Sequence, residues 1–156
     1  DKFKDKEGKA IALGNIGLIY YNKGELDKAL EYLEKALKIQ QDIGDRQHEA
    51  NQLGNIGLIY QARGELDKAL KYHEQARKTA HEIEDRQNEA NQLGNIGLVY
   101  EVKGELDKAL SYHEQSAKLN REVGNRQGEA AALGNIGLVY QDKGELDKAL
   151  ENSSKF

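Results

Sequence analysis

The stretch that decides the fold is Leu53-Gly54-Asn55-Ile56-Gly57-Leu58, followed from position 64 by Gly64-Glu65-Leu66-Asp67-Lys68-Ala69-Leu70. The first string also begins at Leu13, Leu93 and Leu133, and the second at Gly24, Gly104 and Gly144, so both recur every 40 residues. Between them the chain is equally regular, with DRQ at Asp45 and Asp85 and NRQ at Asn125. The two complete central units, starting at Gly44 and Glu84, are about two-thirds identical. Self-similarity at a fixed period marks an array of stacked supersecondary units.

Each unit reads as two helices. In the second, helix A is expected from about Asp45 to Arg63, where Ala50, Leu53, Ile56, Gly57 and Tyr60 recur at three- and four-residue spacing. Gly64 supplies a left-handed stop. Helix B then runs from about Asp67 to Ile83, with Ala69, Leu70, Tyr72, His73, Ala76 and Thr79 along it. Asp67 is expected to cap helix B, and Asp45, Asp85 and Asn125 to cap A helices, because a short polar side chain can accept from the first-turn N–H groups. No alternating apolar run suggests a strand.

One such hairpin cannot bury its apolar face alone, whereas stacked hairpins can. The expected fold is therefore all-α: a right-handed α-solenoid of about four antiparallel helix-turn-helix repeats. It forms a single repeat domain over residues 1–156, with units near 4–43, 44–83, 84–123 and 124–156, the last incomplete. Ala29, Ala69, Ala109 and Ala149 are expected to face Gly17, Gly57, Gly97 and Gly137. A glycine inside a helix costs about 1 kcal/mol relative to alanine, so its recurrence asks for a packing reason, and close approach of the two helices supplies one.

Composition bounds the function. Charged residues make up 32 % of the chain and the net charge is −4, with Lys and Arg interleaved among acids. A nucleic-acid surface would need a clustered basic excess, so nucleic acid is not an expected partner. There is no Cys, which removes disulfides and thiolate metal sites and fits a reducing, cytoplasmic setting. No apolar run approaches the ~20 residues that span a bilayer, and no leader precedes the first repeat. With Asp1 first and Met absent throughout, the sequence reads as a portion of a longer protein.

The residues that recur resemble the signature of the tetratricopeptide repeat over essentially the whole chain. The pattern stands as Leu53, Ile56-Gly57, Tyr60, Ala69 and Ala76; as Leu13, Ile16-Gly17, Tyr20, Ala29 and Ala36; and as Leu93, Ile96-Gly97, Tyr100, Ala109 and Ser116. The unit departs from that family's usual length of about 34 residues, and Gln41 and His81 stand near the place of its closing proline. Leu33, His73 and His113 replace the aromatic of helix B. The extra residues supply IGDRQ, read as longer helices around a shorter joint. This longer form is similar to the arrays of spindle-orientation adaptors and of bacterial and archaeal signalling proteins.

The resemblance implies a protein or peptide partner lying along the concave face built from A helices. Asn15, Asn55, Asn95 and Asn135 would stand there, with Asn51 and Asn91 one turn earlier, Leu58 and Leu98 one turn later, and Gln61 and Glu101 near the rim. Amides both donate and accept, so such a row can pair with the backbone of an extended ligand whatever its sequence, while the leucines take apolar side chains. The alternative is that the asparagines bond to neighbouring A helices and fix the stacking register. A carboxylate clamp is disfavoured, because Gly stands where its Lys would be. The other glycine of each hexapeptide (Gly14, Gly54, Gly94, Gly134) would leave room in the groove for a ligand backbone or let consecutive A helices sit close.

Other features read as structural. His73 and His113 lie in successive units, whose helices are spaced about 10 Å apart, too far for ligands to converge on one metal, and no cofactor is called for. GNIG sits mid-helix without basic neighbours. Glu31/Lys35 and Glu34/Lys38 are surface pairs worth a few tenths of a kcal/mol. Asn152-Ser153-Ser154 matches a glycosylation acceptor without a secretion signal. No nucleophile–base set converges, so the expected role is binding rather than catalysis. Two further possibilities are homo-association through exposed end repeats and regulation of an attached domain.

Overall fold

A computed structural model describes residues 1–155, and every regular element among them is α-helical. In chain order the helices are α1 (Lys2–Asn22), α2 (Leu26–Ile43), α3 (Arg46–Ala62), α4 (Leu66–Glu82), α5 (Arg86–Val102), α6 (Leu106–Glu122), α7 (Arg126–Asp142) and α8 (Leu146–Ser153). Odd-numbered helices are the A helices of the repeat and even-numbered ones the B helices. Two compact units form, Asp1–Asp85 and Arg86–Phe156, each carrying two hairpins. In the first, α1 packs on α2 and α3 on α4, and α2 lies against α3. In the second, α5 packs on α6 and α7 on α8, with α6 against α7.

The joints follow local chemistry. Asp45 accepts from the backbone N–H of His48 at 3.2 Å, and Asn125 from that of Gly128 at 3.0 Å, so both act as the N-caps expected. Asp67 does not. Gly64 turns left-handed at φ 76°, and the next N–H, that of Glu65, donates back to the Tyr60 carbonyl at 2.9 Å. That geometry puts Glu65 at the cap position without a side-chain bond and leaves Asp67 in the first turn, where its charge meets the positive helix end. Between hairpins, Gly44 and Gly124 adopt the same left-handed backbone, whereas Glu84 stands in it at φ 59°, a conformation that costs an L-residue about 1–2 kcal/mol.

The GELDKAL string and the DRQ string each form a clasp. Lys28 sits 3.1 Å from Glu25 and 5.3 Å from the centre of the Tyr20 ring. Lys108 repeats this with Glu105 at 3.6 Å and Tyr100 at 5.3 Å, and Lys148 with Glu145 at 2.7 Å and Tyr140 at 5.5 Å. The lysine therefore ties the start of helix B to its own glutamate and to the aromatic near the end of helix A. Hydrogen bonding to Lys28, then to Lys23, lowers the Glu25 carboxyl below its ordinary value, and Glu25 in turn raises Lys28. The clasp's contribution is thus lost in acid as the carboxylate protonates, and in strong alkali as the ammonium deprotonates. At the other end, Arg46 pairs with Glu49 at 2.9 Å and with Glu82, and Arg86 with Glu122 at 2.6 Å. The arginine of DRQ joins the first turn of helix A to the last turn of helix B in the same hairpin.

The interior of each hairpin depends on one crossing. A Cβ placed on Gly17 would lie 2.7 Å from Leu33, on Gly57 2.7 Å from the His73 ring, and on Gly97 2.6 Å from the His113 ring. The side chain that claims the glycine's space is therefore at position 33, 73 or 113, rather than the expected alanine four residues earlier; Ala29 would meet a Cβ on Gly17 only through its carbonyl oxygen, at 3.2 Å. Leu33, His73 and His113 are wholly buried. Alongside them Tyr20 stacks on Tyr32, Tyr60 on Tyr72 and Tyr100 on Tyr112, with ring centres 5.4, 5.4 and 5.5 Å apart. In the last hairpin Ser153 occupies the crossing position, and a Cβ on Gly137 would meet its hydroxyl at 3.4 Å, an ordinary contact. Gly14 also lets α1 and α3 sit close, since a Cβ there would meet the Gln52 amide of α3 at 2.5 Å, whereas a Cβ on Gly94 would meet only the Ser116 hydroxyl of α6 at 3.5 Å.

Substitution should separate these cases. Gly97→Ala must displace a buried ring, and overpacking outweighs the gain in helix propensity for a net loss of about 1–2 kcal/mol in urea unfolding. Gly137→Ala has room and should gain up to about 1 kcal/mol. Equal effects at the two positions would show that close approach is not what the glycine serves.

Candidate functional site

The A helices turn one stripe away from their B partners, at spacings of four, three and four residues. On α1 it carries Ile11, Asn15, Leu18 and Asn22, all exposed; on α3 it carries Asn51, Asn55, Leu58 and Ala62, exposed or half-buried. In the second unit α5 presents Asn91, Asn95, Leu98 and Val102, and α7 presents Ala131, Asn135, Leu138 and Asp142. Val102 and Leu138 are 66 % and 55 % exposed, large apolar side chains left in water. Asp142 is the sole ionisable residue of these sixteen positions, in a chain of which 32 % is charged. By contrast, the outer face of α2 reads Lys28, Glu31, Lys35, Lys38 and Asp42, where Lys35 bonds Glu31 at 2.7 Å and Lys38 reaches Asp42 at 4.0 Å.

Several amide groups elsewhere are consumed by the fold, although neither amide atom of buried Gln40 has a hydrogen-bond partner. Gln87 donates to Asn120 at 3.3 Å, Asn125 donates to Gln87 at 3.1 Å and to Asn120 at 3.0 Å, and Asn120 donates to the Ser116 carbonyl at 2.9 Å. Buried Gln92 donates to Asn88 at 3.0 Å. These bonds tie the beginnings of α5 and α7 to the end of α6. Asn91 accepts from Gln87 at 3.1 Å, and Asn51 is likewise engaged. Asn15, Asn55, Asn95 and Asn135, one from each hexapeptide, differ, as does Asn22: none of their side chains hydrogen-bonds to another described residue. Their amides stand on the stripe with donors and acceptors both available.

The first unit therefore holds Asn15, Asn51, Asn55 and Leu58 on its stripe, and the second Asn91, Asn95, Leu98 and Asn135. Gln61 and Glu101 fall off it, toward the B helices. The Glu101 carboxylate lies 2.8 Å from Nε2 of buried His113, so the ring carries a proton on that nitrogen and donates it. This carboxylate supports the crossing at Gly97 rather than standing open at a rim. Residues 11, 22, 62 and 102 join the stripe although the family pattern does not point to them; their signal was the spacing continued one step in each direction.

His48 binds Asp45 through Nδ1 at 2.6 Å, and His73 and His113 are packing residues. Among the described residues no group of three or more His, Asp or Glu is placed to hold a metal, and no helix is long and apolar enough to cross a membrane. Asn152, in the glycosylation-like string, donates to the Lys148 carbonyl at 2.9 Å and is buried.

The sequence profile of the tetratricopeptide repeat matches residues 8–82 and 88–154. No curated protein matches the chain in sequence. Solved structures do match in fold. BtubC (BKLC) from P. vanneervenii is 23 % identical with a TM-score of 0.84 over 94 % of this chain and 61 % of that one. Aspartyl phosphate phosphatase F from Bacillus subtilis is 18 % identical with a TM-score of 0.92, over 96 % of this chain and 39 % of that one. A Rap protein complexed with Competence and Sporulation Factor is 20 % identical with a TM-score of 0.85, over 99 % of this chain and 42 % of that one. The chain thus spans less than two-thirds of the length of each.

Proposed function

The chain belongs to the tetratricopeptide repeat family, and from that premise we propose that it is a protein-interaction scaffold whose A-helix stripes hold an extended peptide segment of a partner protein. The observation that supports this reading is the set of four hexapeptide amides, Asn15, Asn55, Asn95 and Asn135, whose side chains hydrogen-bond to no other described residue. Register-fixing asparagines would spend their amides on a neighbouring helix, as Gln87, Asn120 and Asn125 do. An amide that donates and accepts at one point is suited to a peptide group, which does the same. The similar Rap structure complexed with Competence and Sporulation Factor lends support from fold analogy alone. Binding, not catalysis, is the role this arrangement serves.

A second reading rests on a separate observation. Ile16 and Ile19 of α1 are 37 % and 59 % exposed, whereas Ile56 and Ile59, which occupy the same places on α3, are wholly buried. On α3 that face lies toward the previous hairpin, through the contact of α2 with α3. A hairpin from another copy of the chain would fit the α1 face and allow head-to-tail association.

Two measurements address these readings. For peptides selected from a displayed library, Asn55→Ala and Asn95→Ala together should weaken binding at least about tenfold, the loss of roughly one or two ligand hydrogen bonds, with the helical circular dichroism unchanged; unaltered affinity would remove the asparagines from the site. In sedimentation over a concentration series, mass should rise with concentration for the native chain and stay monomeric for Ile19→Lys. A native chain that remains monomeric throughout would exclude association through α1.

A further inference from the structure

The composition of the stripe narrows the ligand further than the proposed function requires, and the inference rests on that reading. Fifteen of the sixteen stripe positions, all except Asp142, cannot ionise at any ordinary pH. The outer faces of the B helices, by contrast, are dense with ions, as the Lys28, Glu31, Lys35, Lys38 series on α2 shows. The neutrality therefore belongs to the stripe and not to the protein at large. A charged ligand side chain laid there would lose part of its hydration and find no counter-charge, a cost that no neighbouring group repays.

What the stripe does offer is aliphatic surface beside amides: Ile11, Leu18, Leu98, Val102 and Leu138 are exposed, Leu58 is half-buried, and the asparagine of each hexapeptide stands one turn before its leucine. Removing such aliphatic area from water favours a ligand that also brings apolar side chains. The spacing sets their order. Within the first unit α1 and α3 meet where Gly14 faces Gln52, and helices in such contact have axes about 10 Å apart. A left-handed extended backbone rises about 3.1 Å per residue with three residues per turn, so one step from Leu18 to Leu58 equals one turn of ligand. The same relation holds in the second unit between Leu98 on α5 and Leu138 on α7.

We propose that each unit binds an uncharged, extended peptide segment whose aliphatic or aromatic side chains, three residues apart, rest on Leu18 and Leu58 or on Leu98 and Leu138, while the asparagines hold its backbone. An acidic motif finds no counter-charge on either stripe, and a basic one finds only Asp142 at the end of α7. Affinity then comes from buried apolar area and amide pairing, neither of which is screened by salt.

The test uses random linear peptides displayed and selected on the whole chain, then resynthesised and titrated at about 0.05 M and about 0.5 M NaCl, where screening of exposed charges differs severalfold. The expected peptides carry no net charge, have their two most alanine-sensitive positions three apart, and change in affinity by less than about threefold between the two salts. Charged peptides that lose about tenfold or more in high salt, yet still depend on Asn55 and Asn95, overturn this inference and leave the proposed function standing. Neutral peptides indifferent to Asn55→Ala and Asn95→Ala overturn the proposed function instead. Failure to select any peptide overturns both. A concentration-dependent dimer that Leu98→Asp dissolves would show that a second copy covers the stripe, and would also overturn the inference.

Discussion

The fold depends on one repeated contact: a bulky or ring side chain of helix B pressed into the space of a missing Cβ on helix A. At Gly17, Gly57 and Gly97 that space is already filled, by Leu33, His73 and His113 in turn. A glycine there weakens helix A locally by about 1 kcal/mol, and what the chain gains is two helices close enough to stack tyrosines beside the crossing. Once the crossing is set, the remaining signature residues have defined tasks. The left-handed glycine turns the chain, the lysine of the second string closes that turn over a tyrosine, and the arginine of DRQ closes the opposite end against a glutamate.

That division of labour leaves each A helix with one stripe that no packing duty claims. Polar side chains elsewhere on these helices are drawn into ion pairs and amide networks. The stripe is different in kind: aliphatic groups remain in water, four asparagines keep their hydrogen-bonding capacity, and ions are nearly absent. Exposed apolar surface of this sort marks interaction sites more often than chance placement.

Much of this was legible in the sequence, because repetition multiplies every signal. The 40-residue period, the alternation of helices and their ends to within a residue or two, and the caps at Asp45 and Asn125 all follow from local pattern. The cap expected at Asp67 failed for a local reason too: the left-handed Gly64 sets the cap position at Glu65, two residues earlier, which a preference for short polar caps does not reveal. The partner of each glycine was harder to read, since position and size across two helices decide it rather than sequence spacing, and Ser153 shows that an identical hexapeptide can face an unlike neighbour. Glu101 looked like a rim residue because its equivalents are Gln61 and Gln141; only the buried ring of His113 beside it assigns it to the interior. Whether an asparagine spends its amide internally cannot be read from any spacing.

The central claim, that the fold leaves four amides unspent, can be tested without knowing any partner. Side-chain NH2 hydrogen exchange of Asn15, Asn55, Asn95 and Asn135 reads it directly by nuclear magnetic resonance, with Asn120 as the internal standard of a buried, bonded amide. The account predicts exchange close to that of an unstructured peptide at all four positions and marked protection at Asn120. Protection of the four to the level of Asn120 would mean that they are bonded within the array, and would contradict it.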